Sequence, residues 1–438
     1  MWIKERDGRC PLDTNKIDDW RRQETTVVKM ASKLTFGTGI ADWQERINVE
    51  RMRRERADKA RQVLKKHGVA AILAARNENR RYLSGLRGPD FLTDLWYVLF
   101  FAEGEQVVFH HAGWLPTYPA EAPWIKNWRL ARNWVNGGCG PEATEEEAKL
   151  FAEGIYRELA ERKLTKEKLA VVGFDAIATQ ALIAKGLNVV NGWPLMLEAT
   201  KTKTVDEISC LKMAFAITDS AWHKTWELLR PGISETWVVQ QAMLAAYEAG
   251  ADIVPRGNAH SGPTSYERGV DHTARILQHG DLFYAAYCGI GYMGYNTCYY
   301  RTFSVGAKPE RKVLDWYKQL IDRMNAIIDT IKPGATTADA AKHFPPASKW
   351  GYEDEAEVLS MEIGHGIGMH HYGYPIINRQ WSLKHPQVFE EGMTIAIEGR
   401  EGEPGLGVRI EDAVVVTKNG AELIDHWPRD EILVGPRV

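Results

Sequence analysis

Four segments in the C-terminal half set ionisable side chains among apolar or glycine-rich neighbours. They are Asn258-Ala-His260-Ser-Gly-Pro-Thr-Ser265, Asp281 to Phe303, Glu362 to Pro375, and Met393–Glu398 together with Val408–Asp412. Polar groups inside apolar runs cost free energy unless something uses them, so these segments are where chemistry is sought first. Glu398 ends the run Met-Thr-Ile-Ala-Ile-Glu, and Glu411 interrupts Gly-Val-Arg-Ile-Glu-Asp-Ala-Val-Val-Val-Thr. A buried glutamate must be paired, protonated or metal-bound. Glu411 therefore either forms an ion pair with Arg409 or Arg400, or serves a site. His365 lies between glycines in Gly-His-Gly-Ile-Gly. Glycines let a backbone approach a ligand closely, so this imidazole is expected at a cavity, where its pKa suits proton transfer. Cys288 and Cys298, with His365 and a glutamate, have the donor types of a mononuclear zinc or iron site. The competing reading is that both thiols pack as small apolar groups.

These residues need elements to hold them. Charged residues with a thin stripe of Ile47, Met52, Ala60, Val63 and Leu64 predict a helix from Trp43 to about His67, its arginines on a solvated face. Val69–Ala74, Trp96–Ala102, Gln106–His111 and Leu169–Gly173 are short apolar runs and predict strands. Helices are predicted near 144–163 and 175–186, which makes residues 45–200 an α/β arrangement. Thr204-Val-Asp-Glu207 is a capping box opening a helix to Leu229, and a second helix follows over Glu235–Glu248. Strands at Asp281–Cys288 and Tyr295–Val305, a helix near 310–331 and a strand-rich last hundred residues predict a curved, mostly antiparallel sheet under two helix pairs. Gly289-Ile-Gly291-Tyr-Met-Gly294 matches a dinucleotide-binding pattern, but a strand follows it where a helix is required, so it is read as a hairpin turn.

Composition narrows the classes. Fifty-five Lys and Arg against 58 Asp and Glu leave a net charge of −3, so there is no broad basic field for nucleic acid or an anionic membrane. No long apolar run or secretory leader is read, and five scattered cysteines fit a reducing compartment, hence a cytoplasmic enzyme. Sixteen Trp exceed what one core needs and are expected in part at a pocket or subunit interface.

The segments GDLFYAAYCGIGYMGYNTCYYRTF, EIGHGIGMHHYGYP, FEEGMTIAIE and GVRIEDAVVVT, in that order, resemble the creatinase/aminopeptidase-P family, whose C-terminal domain has the pita-bread fold. Lys203-Thr-Val-Asp-Glu207-Ile resembles the opening of that domain, and the likeness covers about 205–430. The resemblance implies a homodimer. It also implies a site in which metalloenzymes of the family hold two divalent ions through two Asp, one His and two Glu. His365, Glu398 and Glu411 stand at the His and Glu positions. Cys298 stands at one Asp position, and Tyr287 or Cys288 at the other. With both hard oxygen ligands replaced, a dimanganese or dicobalt peptidase site is not expected.

Two branches remain by resemblance. Creatinase is metal-free and cleaves a C–N bond. His260 matches its base, Glu398 matches a carboxylate that contacts the substrate's cationic group, and Tyr300 occupies the place of a further glutamate. The family's dimethylsulfoniopropionate lyase is similar at Lys33-Leu-Thr-Phe-Gly37 and in the ten-residue step from Cys288 to Cys298. Its base falls on His371.

The expectation is an α+β chain: an arm over 1–44, an α/β creatinase-like domain over 45–204, and a pita-bread catalytic domain over 205–438. Its expected activity is creatinase-like hydrolysis of a C–N bond in a small cationic or amide-bearing molecule. His260, His365, His371, Glu398 and Glu411 are the expected catalytic groups, with Tyr287, Tyr300 and Arg409 at the substrate and no metal. One alternative is a C–S or C–N lyase of the dimethylsulfoniopropionate type. Another is a Xaa-Pro dipeptidase-like hydrolase with a single Zn or Fe ion on Cys288, Cys298, His365, Glu398 and Glu411. A third is a binding module without activity. A small-molecule substrate is expected, with neither nucleic acid nor membrane as partner.

Overall fold

Asn48 opens the first helix, α1 (Val49–Lys66), by accepting a hydrogen bond from the Arg51 N–H at 2.9 Å. The computed structural model describes residues 47–89, 95–266, 271–358 and 362–436. The expected arm and the Lys33–Gly37 segment lie outside them. Met52, Ala60, Val63 and Leu64 form the buried stripe of α1 as expected, but Arg56 is buried with them. Its Nη1 lies 3.3 Å from the Tyr295 hydroxyl, and Arg51 pairs with the buried Asp206 at 2.7 Å. The arginines of this helix are thus not all solvated: two of them fasten it to the C-terminal half.

The α/β part is a six-stranded sheet in the order β4-β3-β2-β1-β5-β6. Its strands are β1 (Ala71–Ala74), β2 (Trp96–Phe101), β3 (Val107–His110), β4 (Asn127–Leu130), β5 (Lys168–Val172) and β6 (Asn188–Asn191). The apolar runs β1, β2 and β3 are buried at every residue. Helices α2 (Pro141–Glu161) and α3 (Ala176–Ala184) cover one face through Phe151, Ile155, Ala178 and Leu182.

In the C-terminal half, α4 (Val205–Leu228) starts at the predicted capping box, with both reciprocal bonds between Thr204 and Glu207 formed. It packs on α5 (Glu235–Glu248). The single predicted sheet is two. One has the order β17-β11-β8-β7 and contains β7 (Asn258–Ser261), β8 (Leu282–Ala286), β11 (Tyr300–Ser304) and β17 (Leu433–Val434). The other has the order β13-β12-β14-β15-β16 and contains β12 (Ile363–Gly366), β13 (Gly373–Ile377), β14 (Thr394–Glu403), β15 (Leu406–Thr417) and β16 (Gly420–Leu423). Between β8 and β11 the chain makes the predicted hairpin, β9 (Gly291–Tyr292) to β10 (Tyr295–Asn296). Met293 and Gly294 at its tip both have positive φ, the requirement of a type I′ turn.

Side chains alternate across a strand, so β14 and β15 show different chemistry on their two faces. Ile395, Ile397, Val408, Ile410 and Val414 pack beneath helix α6 (Arg311–Thr330) against Leu320, Met324 and Ile327. The opposite face carries Glu398, Arg400, Arg409 and Glu411. Arg301 on β11 ties the two sheets together. It donates to the Glu411 carbonyl at 2.6 Å and to Asp425 at 2.6 Å, and it lies 3.2 Å from Asp412. Among the described residues no helix is long and apolar enough to cross a membrane.

Candidate active site

Register fixes the centre of the site. Glu398 pairs with Glu411 across β14 and β15, and with Ile363 across β12 and β14. Both carboxylates are buried, at 3% and 0% exposure. Like charges directly opposite each other are destabilising, so this pair calls for a proton or a cation. One row along β12 is His365, fully buried, with Nε2 3.5 Å from Glu411 Oε1. Its Nδ1 lies 3.3 Å from the Gly366 carbonyl, and its ring stacks on Tyr372 at 4.1 Å. A proton on Nδ1 donated to that carbonyl leaves Nε2 as a lone pair, the arrangement of a metal-binding imidazole.

The glycines around His365 have a different task from the one expected. A side chain at Gly366 would collide with the Tyr374 carbonyl, and one at Gly364 would press on Ile377. They allow β13 to lie close at the bulge between His365 and Gly366, not a ligand.

Both cysteines reach this face. Cys288 Sγ is 3.6 Å from Glu411 Oε2, and Cys298 Sγ is 3.7 Å from His371 Nε2. Two sets of donor atoms each lie within 4.8 Å of one another: Cys298, His365 and Glu411, and Cys288, Cys298 and His371. Burial pushes the Cys288 thiol up to about 12 and Cys298 well above its usual value, and pulls His371 down to about 4. Burial also raises Tyr300, with Glu398 and Glu411 adding to the effect. Sulfur, imidazole and two carboxylates suit one or more ions of borderline or soft character. They do not suit a pair of hard, oxygen-seeking ions.

His260 stands on β7 opposite Tyr284, its ring stacked on that tyrosine at 5.5 Å. The strand is braced from below: Ser261 donates to the buried Glu235 at 2.5 Å and accepts from Arg275 at 2.7 Å. Arg409 lies over the other contact of the same ring, its guanidinium 5.1 Å from the Tyr284 centroid, and donates to the Tyr266 carbonyl at 2.8 Å. Tyr287, expected at the substrate, is instead a core residue. It points away from its neighbour Cys288, stacks on Trp222 at 4.2 Å and meets the Thr225 hydroxyl at 2.5 Å.

Arg400, considered in sequence only as an ion-pair partner, is part of the site wall. It faces Arg409 across the strands and lies over Tyr266 and Trp350, 4.8 and 4.5 Å from their centroids. Burial and Arg409 both lower its pKa. Its position was readable, because residue 400 shares a strand face with Glu398. The role of Trp350 was not, because it comes from a separate short helix. A groove of about 610 Å³ between α2 and α3, lined by Ala148, Ala152, Ile177 and Ala181, shares none of these residues.

Residues 209–418 match the model of metallopeptidase family M24. The uncharacterized peptidase YqhT of Bacillus subtilis (strain 168) is 27% identical over 391 residues, 86% of this chain and 99% of its own. The Xaa-Pro dipeptidase of Pyrococcus furiosus is 30% identical over 236 residues, 52% of this chain and 64% of its own. The crystal structure of dipeptidase PepE from Mycobacterium ulcerans superposes with a TM-score of 0.69 at 25% identity, covering 88% of this chain and 98% of that one. These relatives are named as peptidases, which is not the creatinase or lyase branch that the motifs led us to expect. The match over 209–418 and the superposition agree on the fold, a pita-bread domain of the M24 kind preceded by an α/β domain.

Proposed function

We propose that the protein is a metal-assisted hydrolase of short peptides, of the Xaa-Pro dipeptidase kind. The observation that carries this reading is the buried set Cys298, His365 and Glu411, with donor atoms within 4.8 Å of one another beside a second carboxylate, Glu398. An ion bound there supplies Lewis acidity toward a peptide carbonyl. Glu398 accepts a proton from the attacking water and passes it to the leaving amine, a role that suits a buried carboxylate beside a charge partner. His260 and Tyr300 line the same wall and orient the scissile amide by hydrogen bonding.

Arg400 and Arg409 favour a substrate with a free carboxylate over a cationic one, because guanidinium groups bind carboxylates in charge-assisted pairs. A dipeptide brings such a carboxylate one residue from the scissile bond. Creatine, the substrate type expected from sequence, also carries one, so the two are compared directly. The test is hydrolysis of alanyl-proline, leucyl-proline, alanyl-leucine and creatine by protein loaded with zinc, manganese or cobalt, with a chelated control. Release of amino acids from a dipeptide, lost on chelation, supports the reading. Turnover of creatine by chelated protein, with no dipeptide cleaved, overturns it.

A further inference from the structure

Cys288 and Cys298 are cross-strand neighbours. Ala286 pairs with Tyr300 at the end of β8 and β11, and two residues further along the same register Cys288 comes opposite Cys298. Bonds from the Tyr287 N–H to the Tyr299 carbonyl and from the Gly289 N–H to the Thr297 carbonyl bracket the pair. Cys288 and Cys298 exchange no backbone hydrogen bond of their own, and side chains at such positions approach most closely. Alternation turns Tyr287 and Tyr299 to the opposite side, against Trp222 at 4.2 and 5.4 Å, and aims both sulfurs at the site.

His371 completes the group from another sheet. It follows β12 on the turn into β13, and its Nε2 lies 3.7 Å from Cys298 Sγ. Packing as small apolar groups would surround the sulfurs with carbon. Here a carboxylate lies 3.6 Å from one and an imidazole 3.7 Å from the other. The donors of Cys288, Cys298 and His371 all lie within 4.8 Å of one another, so modest side-chain rotation gathers them on one centre. Two thiolates and a neutral imidazole are a zinc-type donor set that leaves a fourth position open.

We propose that Cys288, Cys298 and His371 form a sulfur-rich position for a thiophilic divalent ion of the zinc class, sharing Cys298 with the Cys298–His365–Glu411 set. Binding breaks two S–H bonds and forms two metal–sulfur bonds, and the two protons go to solvent, with no change of oxidation state. Glu411, its Oε2 3.6 Å from Cys288 Sγ, stands beside this donor set. The proposal concerns the ion and not the substrate, so it stands or falls apart from the dipeptidase reading.

The test uses the full chain, stripped by chelation and reloaded separately with zinc, cadmium, cobalt(II) and manganese. Bound ion is counted by elemental analysis after desalting, and thiolate ligation is read as near-ultraviolet charge-transfer absorption of the cobalt and cadmium forms. Wild type is expected to retain zinc and cadmium, to show the sulfur band, and to release manganese. Cys288→Ser and His371→Asn are each expected to retain one equivalent less than wild type and to lose part of the band, with circular dichroism unchanged. His365→Asn, outside the triad, is expected to keep the ion held by Cys288 and His371. Three outcomes overturn the proposal: a wild-type cobalt form without a sulfur band, an unchanged zinc count in both triad variants, or manganese retained in preference to zinc. If a variant fails to fold, alkylation of the wild type decides: bound zinc is expected to shield both Cys288 and Cys298 from iodoacetamide, and shielding of Cys298 alone overturns the proposal. Dipeptide cleavage is measured separately, so an inactive protein with a sulfur-bound ion overturns the peptidase reading alone.

Discussion

Glu398 lies directly opposite Glu411 on paired strands, and one row further Arg400 lies directly opposite Arg409. The site wall is therefore two like-charged pairs stacked in alternation, both removed from water. Like charges directly opposite each other are unfavourable, and a ligand of the opposite sign relieves that cost. The acidic pair suits a cation, and the basic pair suits the carboxylate of a substrate.

Replacing Glu411 with Gln separates binding from folding. In chelated protein the substitution removes a like-charge opposition, and the unfolding free energy is expected to stay level or to rise by roughly 1 kcal/mol at most. In metal-loaded protein the same variant is expected to lose ion retention and dipeptide cleavage. Calorimetry with and without chelator, with elemental analysis, reads both. A large fall in stability of the chelated variant would show that Glu411 is structural.

Arg409→Met is expected to raise KM for dipeptides by about ten- to a hundredfold, the loss of a charge-assisted contact of about 1.5–3 kcal/mol. C-terminally amidated dipeptides, which offer no carboxylate, are expected to be cleaved equally poorly by wild type and variant. Equal loss on both substrates would place Arg409 outside carboxylate recognition.

Arg301 joins the Glu411 carbonyl, Asp412 and Asp425 inside the molecule. Arg301→Leu leaves the buried Asp425 without its cation, while Asp412 keeps Arg429 at 2.7 Å, and is expected to cost roughly 3–5 kcal/mol in urea unfolding. Adding Asp425→Asn is expected to restore part of that. Stability unchanged by Arg301→Leu would mean that the network contributes little.

Lys203, at the junction of the two halves, has its pKa lowered by burial to about 7. Between that value and the ordinary lysine range the unfolded chain holds the proton and the folded chain does not. The penalty is full below pH 7 and fades as pH rises, by at most about 1.4 kcal/mol per unit. Lys203→Met is therefore expected to be more stable than wild type at pH 6, with the gap narrowing by pH 9. A gap independent of pH in denaturant titrations would contradict this.

The sequence made some of this visible and concealed the rest for physical reasons. Continuous apolar runs such as Trp96–Phe101 are buried throughout and were readable as strands. The edge strands Asn127–Leu130 and Asn188–Asn191 are half exposed and carry no such run, so nothing local announced them. Glu398, Glu411 and His365 stood out because charge inside an apolar strand is costly. Arg56 did not, since its partner Tyr295 is far away in the chain and only the packed helix brings them together. Tyr287 and Cys288 are neighbours on one extended segment, so only one of them can face the site, and the structure gives that place to Cys288. His371 lies in a turn, and its distance to Cys298 depends on how two sheets are stacked, which no spacing rule contains.

The adjacency of Cys288 and Cys298 has a practical side as well. Two sulfurs facing each other where strands come closest are already placed for a cystine, once an oxidant such as diamide takes up their two electrons and two protons. Air-aged preparations would then be inert and metal-free while remaining folded, and dithiothreitol would revive them. Handling under reductant is accordingly the first condition for any assay of this protein, and peptide mass mapping after diamide treatment shows whether the bond forms.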